Sequence, residues 1–313
     1  MEIDSIWNLK YRPKTIEDII LPKDVKKYFE DIKKTQNKDI PHIMLASPQG
    51  QGKTTLALII VNDVLNCQYI YINGSEENGI EILRNKILSF IETKSIDGNI
   101  KIVILDEASG LTSTMQNGLK NVMEEYSKYA RFIFCCNEPN KIIAPIHSRC
   151  IRFDVLPDNE SILKRCLYIL KTEQITTTKE ELSRAVGLIK RFSPDIRQVL
   201  NYLQRYSKTG ELLITAEDNL LEYYKEIYTR IINKENLLDI RKYIIQNELK
   251  FGSQYDELLK GLFNCFYNNV EFPLDLKKQV MLTIIESLKD HVYVLDKELN
   301  FFGCLIKLSK VLE

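Results

Sequence analysis

The chain reads as an α/β protein in which a parallel-sheet domain is followed by a small helical domain and a helical tail domain. Three observations predict this. Short apolar runs alternate with amphipathic segments as far as Cys136, the pattern of right-handed βαβ units in a sheet covered on both faces. A glycine-bearing loop, Ser47-Pro48-Gln49-Gly50-Gln51-Gly52-Lys53-Thr54, joins one apolar run to one helix. After Phe153 the strand signal fades and helical periodicity takes over.

A length of 313 residues is long for one core, so two or three domains are expected. The boundaries fall at 1–155, 156–212 and 213–313. Hydrophobic content of 44% and charged content of 27% are those of an ordinary globular protein. Formal net charge is zero, so no global basic field advertises nucleic acid. Any DNA contact has to come from a local patch or from helix N-termini. The seven cysteines form no Cys-x-x-Cys pair, which argues for a reducing compartment and against disulfides and zinc. Met1-Glu2-Ile3-Asp4 is acidic and lacks the apolar core of a signal peptide, and no apolar run approaches the ~18 residues of a membrane span. A soluble cytoplasmic protein without membrane partners is expected.

Taken in order, the segment up to about Leu21 is polar, with Trp7 and the run Lys10-Tyr11-Arg12-Pro13. Pro13 disfavours helix at Arg12 and predicts an extended arm. Val25, Tyr28, Phe29 and Ile32 are spaced for an amphipathic helix over 23–35. Then follow strand 42–46, helix 53–65, strand 69–72, helix 79–92, strand 101–105, helix 113–126 and strand 131–136. Pro157-Asp158 opens a helix, with Asp158 as its cap and Ile162, Leu163, Cys166 and Leu170 on one face. Helices near 179–190 and 194–207 come next, then a linker at Ser207-Lys208-Thr209-Gly210. From about 216 the pattern is helical again, with a break at Phe272-Pro273. No internal repeat or low-complexity tract interrupts it.

The chemistry starts at the loop. Gly50 and Gly52 allow positive φ where such a turn needs it. The turn points backbone N–H groups inward and sets a helix N-terminus beneath an anion. Lys53 is then placed for the β- and γ-phosphates of a nucleotide, and the Thr54 hydroxyl for Mg²⁺. Position 47 is Ser where the full pattern has glycine. Ile102-Val103-Ile104-Leu105 runs into Asp106-Glu107 at the strand edge where ligands bind in such sheets. Asp106 there suits Mg²⁺ and Glu107 suits an attacking water, which makes the chemistry hydrolysis of a nucleoside triphosphate. Asn137 closes the next strand; its carboxamide suits the γ-phosphate or that water, or it is a turn residue before Glu138-Pro139. Arg149, within Ser148-Arg149-Cys150, is a stabiliser of phosphoryl transfer supplied to a neighbouring subunit, or a surface salt-bridge residue.

With these motifs in this order, the chain resembles an ATPase subunit of a DNA sliding-clamp loader within the AAA+ superfamily. It is similar to the small subunits of replication factor C and, more closely, to the large subunit of T-even-type bacteriophage loaders, a likeness that implies a phage origin. The matching segments are Trp7 to Pro13, Asn73-Gly74-Ser75-Glu76 with Ile80 and Arg84, Asp106-Glu107-Ala108, and Gln116-Asn117-Gly118-Leu119-Lys120 with Met123-Glu124. Asn137, Ser148-Arg149-Cys150 and Pro194-Asp195-Ile196-Arg197 complete the set. The resemblance covers about residues 7–206.

It implies an AAA+ parallel-sheet P-loop ATPase domain, a helical lid and a helical collar for oligomerisation. By position, Tyr11 and Arg12 flank adenine, while Gly50, Gly52, Lys53, Thr54, Thr55 and Asp106 hold ATP and Mg²⁺. Glu107 is the catalytic base, Asn137 and Arg197 read the γ-phosphate in cis, and Arg149 acts in trans. Arg84, Ser113 and Lys120 are the implied DNA contacts, with Gln116 the relay to the ATP site. Related loaders often carry a basic residue where this chain has Asn78. Ile87, Leu88, Phe90 and Ile91 are candidates for clamp binding, Ile87 and Ile91 alternatively for the core. The implied partners are a sliding clamp, primer-template DNA, further copies of the chain, a distinct clamp-loader small subunit and a DNA polymerase holoenzyme. Two other readings share the phosphate loop: a branch-migration or helicase-type motor, and a nucleotide-bound scaffold that does not hydrolyse.

Overall fold

Five parallel strands form one sheet: β1 His42–Ala46, β2 Tyr69–Asn73, β3 Lys101–Asp106, β4 Ala130–Cys136 and β5 Cys150–Asp154, in the order β2-β3-β4-β1-β5. The computed structural model describes residues 6–36, 39–77, 79–93, 99–207, 210–212, 220–251, 253–270 and 272–312. The described chain divides into two compact units, one within Met1–Thr176 and Ile189–Leu212, the other within Thr177–Leu188 and Leu213–Glu313.

In the first unit, strand alternation deals side chains to two cores. Ile43, Leu45, Ile102, Ile104, Ile133 and Cys135 pack on one face with Val25 and Phe29 of helix α2 (Lys23–Thr35) and with Leu56 and Ala57 of α3 (Lys53–Ile59). Met44, Val103, Leu105, Phe132, Phe134 and Cys136 pack on the other face. There they meet Ile87 and Ile91, and also Met115, Leu119 and Met123 of the later helix Ser113–Glu125. β1 and β3 are buried along their whole length, as the apolar runs Ile43–Ala46 and Ile102–Leu105 predict for central strands.

Trp7–Lys10, Ala144–His147 and Cys150–Asp154 depart from the sequence reading. Trp7–Lys10 forms a short helix, α1, ahead of the extended stretch, because the restriction from Pro13 reaches only Arg12. Cys150–Asp154 forms the edge strand β5, whose exposed Ile151, Arg152 and Asp154 leave it without an all-apolar signal. The predicted helices 53–65 and 79–92 are present, and each contains a π-helical stretch, Ile60–Val64 and Leu83–Leu88. The α-helical pieces of the second are α4 (Ile80–Ile82) and α5 (Ser89–Glu92).

The remaining helices of the sheet domain are α6 (Ser113–Glu125) and α7 (Ala144–His147). Helix α8 (Asn159–Thr172) starts as predicted, with the Asp158 carboxylate accepting from Ser161 N at 2.8 Å. Helices α9 (Lys179–Phe192) and α10 (Ile196–Tyr206) follow. The proposed linker falls partly on 208 and 209, outside the described residues. The second unit holds α11 (Leu220–Ile232), α12 (Leu237–Phe251), α13 (Tyr255–Asn268), α14 (Leu274–His291) and α15 (Lys297–Leu312) around a core that includes Tyr255, Phe266 and Phe301. The predicted break before Leu274 is present, with Pro273 as the residue preceding α14.

Candidate active site

Parallel pairing aligns the strand ends: Ala46 with Cys136, Leu105 with Phe134, and Asn73 with Asp106. The glycine-bearing loop, Asp106 and Asn137 therefore leave the sheet at one edge, where they line a cleft of about 710 Å³. Tyr11, Arg12, Gly50, Gly52, Lys53 and Thr54 also line it. So do Thr55, Glu107 and Arg197. Among the predicted catalytic and nucleotide-binding residues, Arg149 alone is not part of that lining.

The loop adopts the turn its glycines predict, with φ of 76° at Gly50 and 90° at Gly52. Gly50 is required on a second count. A Cβ there would lie 1.9 Å from Oδ1 of Asp195, the residue that caps α10 by accepting from Gln198 N at 2.9 Å. Lys53 is buried, and its ammonium donates to the carbonyls of Ser47 and Pro48, both at 2.7 Å. Burial holds that ammonium below its ordinary range, which favours an anionic partner beside it.

Asp106 is held from three directions. Thr54 Oγ1 and Tyr71 OH both donate to Oδ2 at 2.7 Å, and Glu107 N donates to Oδ1 at 2.9 Å. One carboxylate and one hydroxyl at contact distance are a hard-oxygen donor set that suits Mg²⁺, whose other ligands would be phosphate and water. Tyr71 was not foreseen: two places before Asn73 on β2, it is brought to Asp106 only by the β2–β3 pairing. Burial first, and then its bond to Asp106, raise its phenol well above the ordinary range and keep it a donor. Replacing Tyr71 by Phe is expected to raise the Mg²⁺ concentration for half-maximal ATP hydrolysis by about tenfold, as loss of a partner to a metal-binding carboxylate does. An unchanged Mg²⁺ titration would show that Thr54 and the Glu107 amide hold Asp106 by themselves.

Glu107 stands in the left-handed region at φ 49° and ψ 39°, uncommon for a residue with a side chain and a mark of functional sites. Its Oε2 accepts from Ser75 Oγ, a partner not singled out from the sequence. Gly74 makes this approach feasible, since a Cβ there would lie 2.9 Å from the Glu107 carbonyl. Tyr11 OH donates to Glu173, the residue that follows α8, at 2.5 Å, the same oxygen that Lys10 Nζ reaches at 2.7 Å. Arg165 Nη2 donates to the Tyr11 carbonyl at 3.1 Å, and Arg12 Nε to Thr55 Oγ1 at 3.1 Å. The arm is thus fastened to both the helical segment and α3.

Outside the cleft, Gln116 is 3% exposed and fully engaged: Nε2 donates to Leu111 O at 3.0 Å and Lys141 O at 3.2 Å, and Oε1 accepts from Ile143 N at 2.8 Å. It ties the start of α6 to the segment that leads into α7 and Ser148-Arg149-Cys150. Ser113 is exposed at the first position of α6, and Lys120 is half-buried two turns on. The Arg84 side chain and Asn78 lie outside the described residues. Arg149 donates through Nη1 to Pro145 O at 2.6 Å and pairs through Nη2 with Glu124. Of the clamp candidates, Ile87 and Ile91 are buried in the core, which leaves Leu88 and Phe90 as the half-buried pair. Among the described residues no helix is long and apolar enough to cross a membrane.

The sheet order, phosphate loop and acidic strand end define an AAA-type nucleotide-binding protein, and residues 43–157 match the ATPase family associated with various cellular activities. Over 99% of this chain and 96% of the relative, the sequence is 31% identical to the replication factor C small subunit of Sulfurisphaera tokodaii. Identity is 34% to that of Archaeoglobus fulgidus, over 84% of each chain. Against replication factor C subunit 4 of Saccharomyces cerevisiae it is 31%, over 97% of this chain and 95% of the relative. The RuvB Holliday junction branch migration motor of Thermotoga maritima shares the fold, with a TM-score of 0.53 at 18% identity over 70% of this chain and 80% of that one. The chain belongs to the replication factor C small-subunit family of AAA ATPases.

Proposed function

We propose that this chain is an ATPase subunit of a sliding-clamp loader, which uses ATP binding and DNA-triggered hydrolysis to open a ring clamp and place it on primer-template DNA. The observation that carries this reading is a division of the site. A full triphosphate-handling set lines one cleft, while Arg149 stands outside it on the surface of the same domain. Such a chain needs a neighbouring copy to complete its chemistry.

In this reading Lys53 and the loop amides hold the phosphates, and Thr54 and Asp106 position Mg²⁺, which draws charge from the phosphates when bound. Glu107 takes the proton of the attacking water, and Asn137 and Arg197 contact the γ-phosphate. Tyr11 and Arg12 flank the base. Arg84, Ser113 and Lys120 are the contacts to DNA phosphates, and Gln116 is the relay from DNA to the ATP site. Helices α8 to α10 act as a lid and α11 to α15 as a collar. The partners are further copies, a distinct small subunit, the clamp and the polymerase holoenzyme, in the cytoplasm.

Steady-state ATP hydrolysis by the chain with its co-expressed partners tests the reading, run without addition, with primer-template DNA, with clamp and with both. Synergistic stimulation by DNA and clamp is expected. Stimulation by branched or duplex DNA without any clamp effect would assign a branch-migration motor instead. A flat response in every condition would leave a nucleotide-bound scaffold.

A further inference from the structure

Gln51 sits in the phosphate loop between the two positive-φ glycines, lines the cleft and is only 2% exposed. Among the described residues, neither Oε1 nor Nε2 has a hydrogen-bond partner. Buried side-chain amides in folded proteins are almost always paired, so an amide orphaned at both ends beside a ligand cleft points to a ligand that supplies both partners. The contrast with Gln116 is direct, since that equally buried carboxamide has its donor and its acceptor satisfied.

The chemistry of the amide selects which part of a nucleotide it meets. A phosphate offers acceptors only; it would engage Nε2 and leave Oε1 facing negative oxygen. A metal ion would engage Oε1 only. Adenine carries an amino donor beside a ring-nitrogen acceptor, the pair of groups that a glutamine carboxamide matches with both atoms at once. The surroundings suit a base as well. The Ile19 side chain comes within 3.9 Å of where a Cβ on the adjacent Gly52 would lie, and Ile20 and Leu200 line the same cleft. These aliphatic groups would cover the faces of a planar ring while the amide reads its edge.

We propose that Gln51 is a base-contacting residue whose carboxamide pairs with the amino group and neighbouring ring nitrogen of adenine, which gives the cleft its preference for ATP. The proposal rests on the reading of the cleft as an ATP site. It adds a specificity contact from a loop position whose neighbours handle phosphate.

The test is equilibrium binding by the full chain, unmodified and with Gln51→Leu, to four probes: ATP, purine riboside triphosphate (which lacks the amino group), 2′-deoxyATP and inorganic tripolyphosphate. The unmodified chain is expected to bind ATP about tenfold more tightly than purine riboside triphosphate, the effect of one hydrogen bond. Gln51→Leu is expected to lose that preference and keep its affinity for tripolyphosphate. Its thermal midpoint without nucleotide is expected to hold or rise, because an apolar side chain of similar volume replaces an unpaired amide. A preference for the amino group retained in Gln51→Leu would overturn the proposal. So would equal weakening towards ATP and tripolyphosphate, or a defect that appears only against 2′-deoxyATP, which would move the contact to the ribose. Failure of the unmodified chain to bind any of the four would overturn the ATP-site reading itself, a result distinct from loss of base preference.

Discussion

A chain carrying Glu107→Gln is expected to bind ATP as the unmodified chain does and to hydrolyse it about a thousandfold more slowly, the range associated with removal of a general base. The substitution keeps the size of the side chain and its capacity to accept from Ser75 Oγ, so the local packing survives. The groups that the proposed reading assigns to nucleotide binding lie elsewhere in the cleft. Lys53 retains its place in the loop, and Asp106 retains its contacts from Thr54, Tyr71 and the backbone amide of residue 107. The loss should therefore appear in the chemical step rather than in affinity. Single-turnover hydrolysis beside equilibrium binding separates the two. An unchanged single-turnover rate would remove Glu107 as the base. No measurable hydrolysis in either protein would support the scaffold.

The left-handed backbone at Glu107 sets the direction of its carboxylate. Asp106 ends β3 with its side chain towards the loop, and the turn at Glu107 directs the next carboxylate towards the Asn73–Ser75 segment. In this arrangement Oε2 of the carboxylate accepts from Ser75. The bond occupies only Oε2, so Oε1 of the same carboxylate stays available to accept a proton from water while Ser75 fixes its orientation.

Much of this was legible in the residues, for identifiable reasons. The phosphate loop and the Asp106-Glu107 strand end are local patterns whose spacing reports the backbone directly, and both appear where the spacing puts them. The central strands announced themselves because burial on both faces demands continuous apolar side chains. The edge strand β5 did not, because Ile151, at 45% exposure, and its charged neighbours face solvent on an open side of the sheet. Contacts that depend on register were invisible for a different cause. Tyr71 reaches Asp106, Ser75 reaches Glu107, and Gln116 reaches residues 111, 141 and 143 only once the strands and loops are set side by side. Nothing in the local sequence marks a tyrosine in an apolar strand, or a glutamine in a helix, as a group with a defined partner.

Arg149→Ala is expected to lower hydrolysis by the assembled protein about a thousandfold, the scale of an arginine acting on the transition state, while leaving nucleotide binding by the isolated chain intact. Arg149 is not among the residues lining its own cleft, and its guanidinium is held by Pro145 O and Glu124. The Glu124 pair is easily given up: the two side chains are 30% and 57% exposed, and such surface pairs contribute at most about 1 kcal/mol. A guanidinium so loosely committed can turn towards a phosphate presented by a neighbour at little cost. Mixing separates action in trans from a structural role. Assemblies of Arg149→Ala chains alone and of Lys53→Ala chains alone should both be inactive. When the two are mixed, a site with Lys53 can face a neighbour with Arg149, and hydrolysis should return at such junctions. Continued inactivity in mixtures that assemble normally would place the role of Arg149 within its own subunit. Full activity of Arg149→Ala alone would reduce it to a surface ion pair.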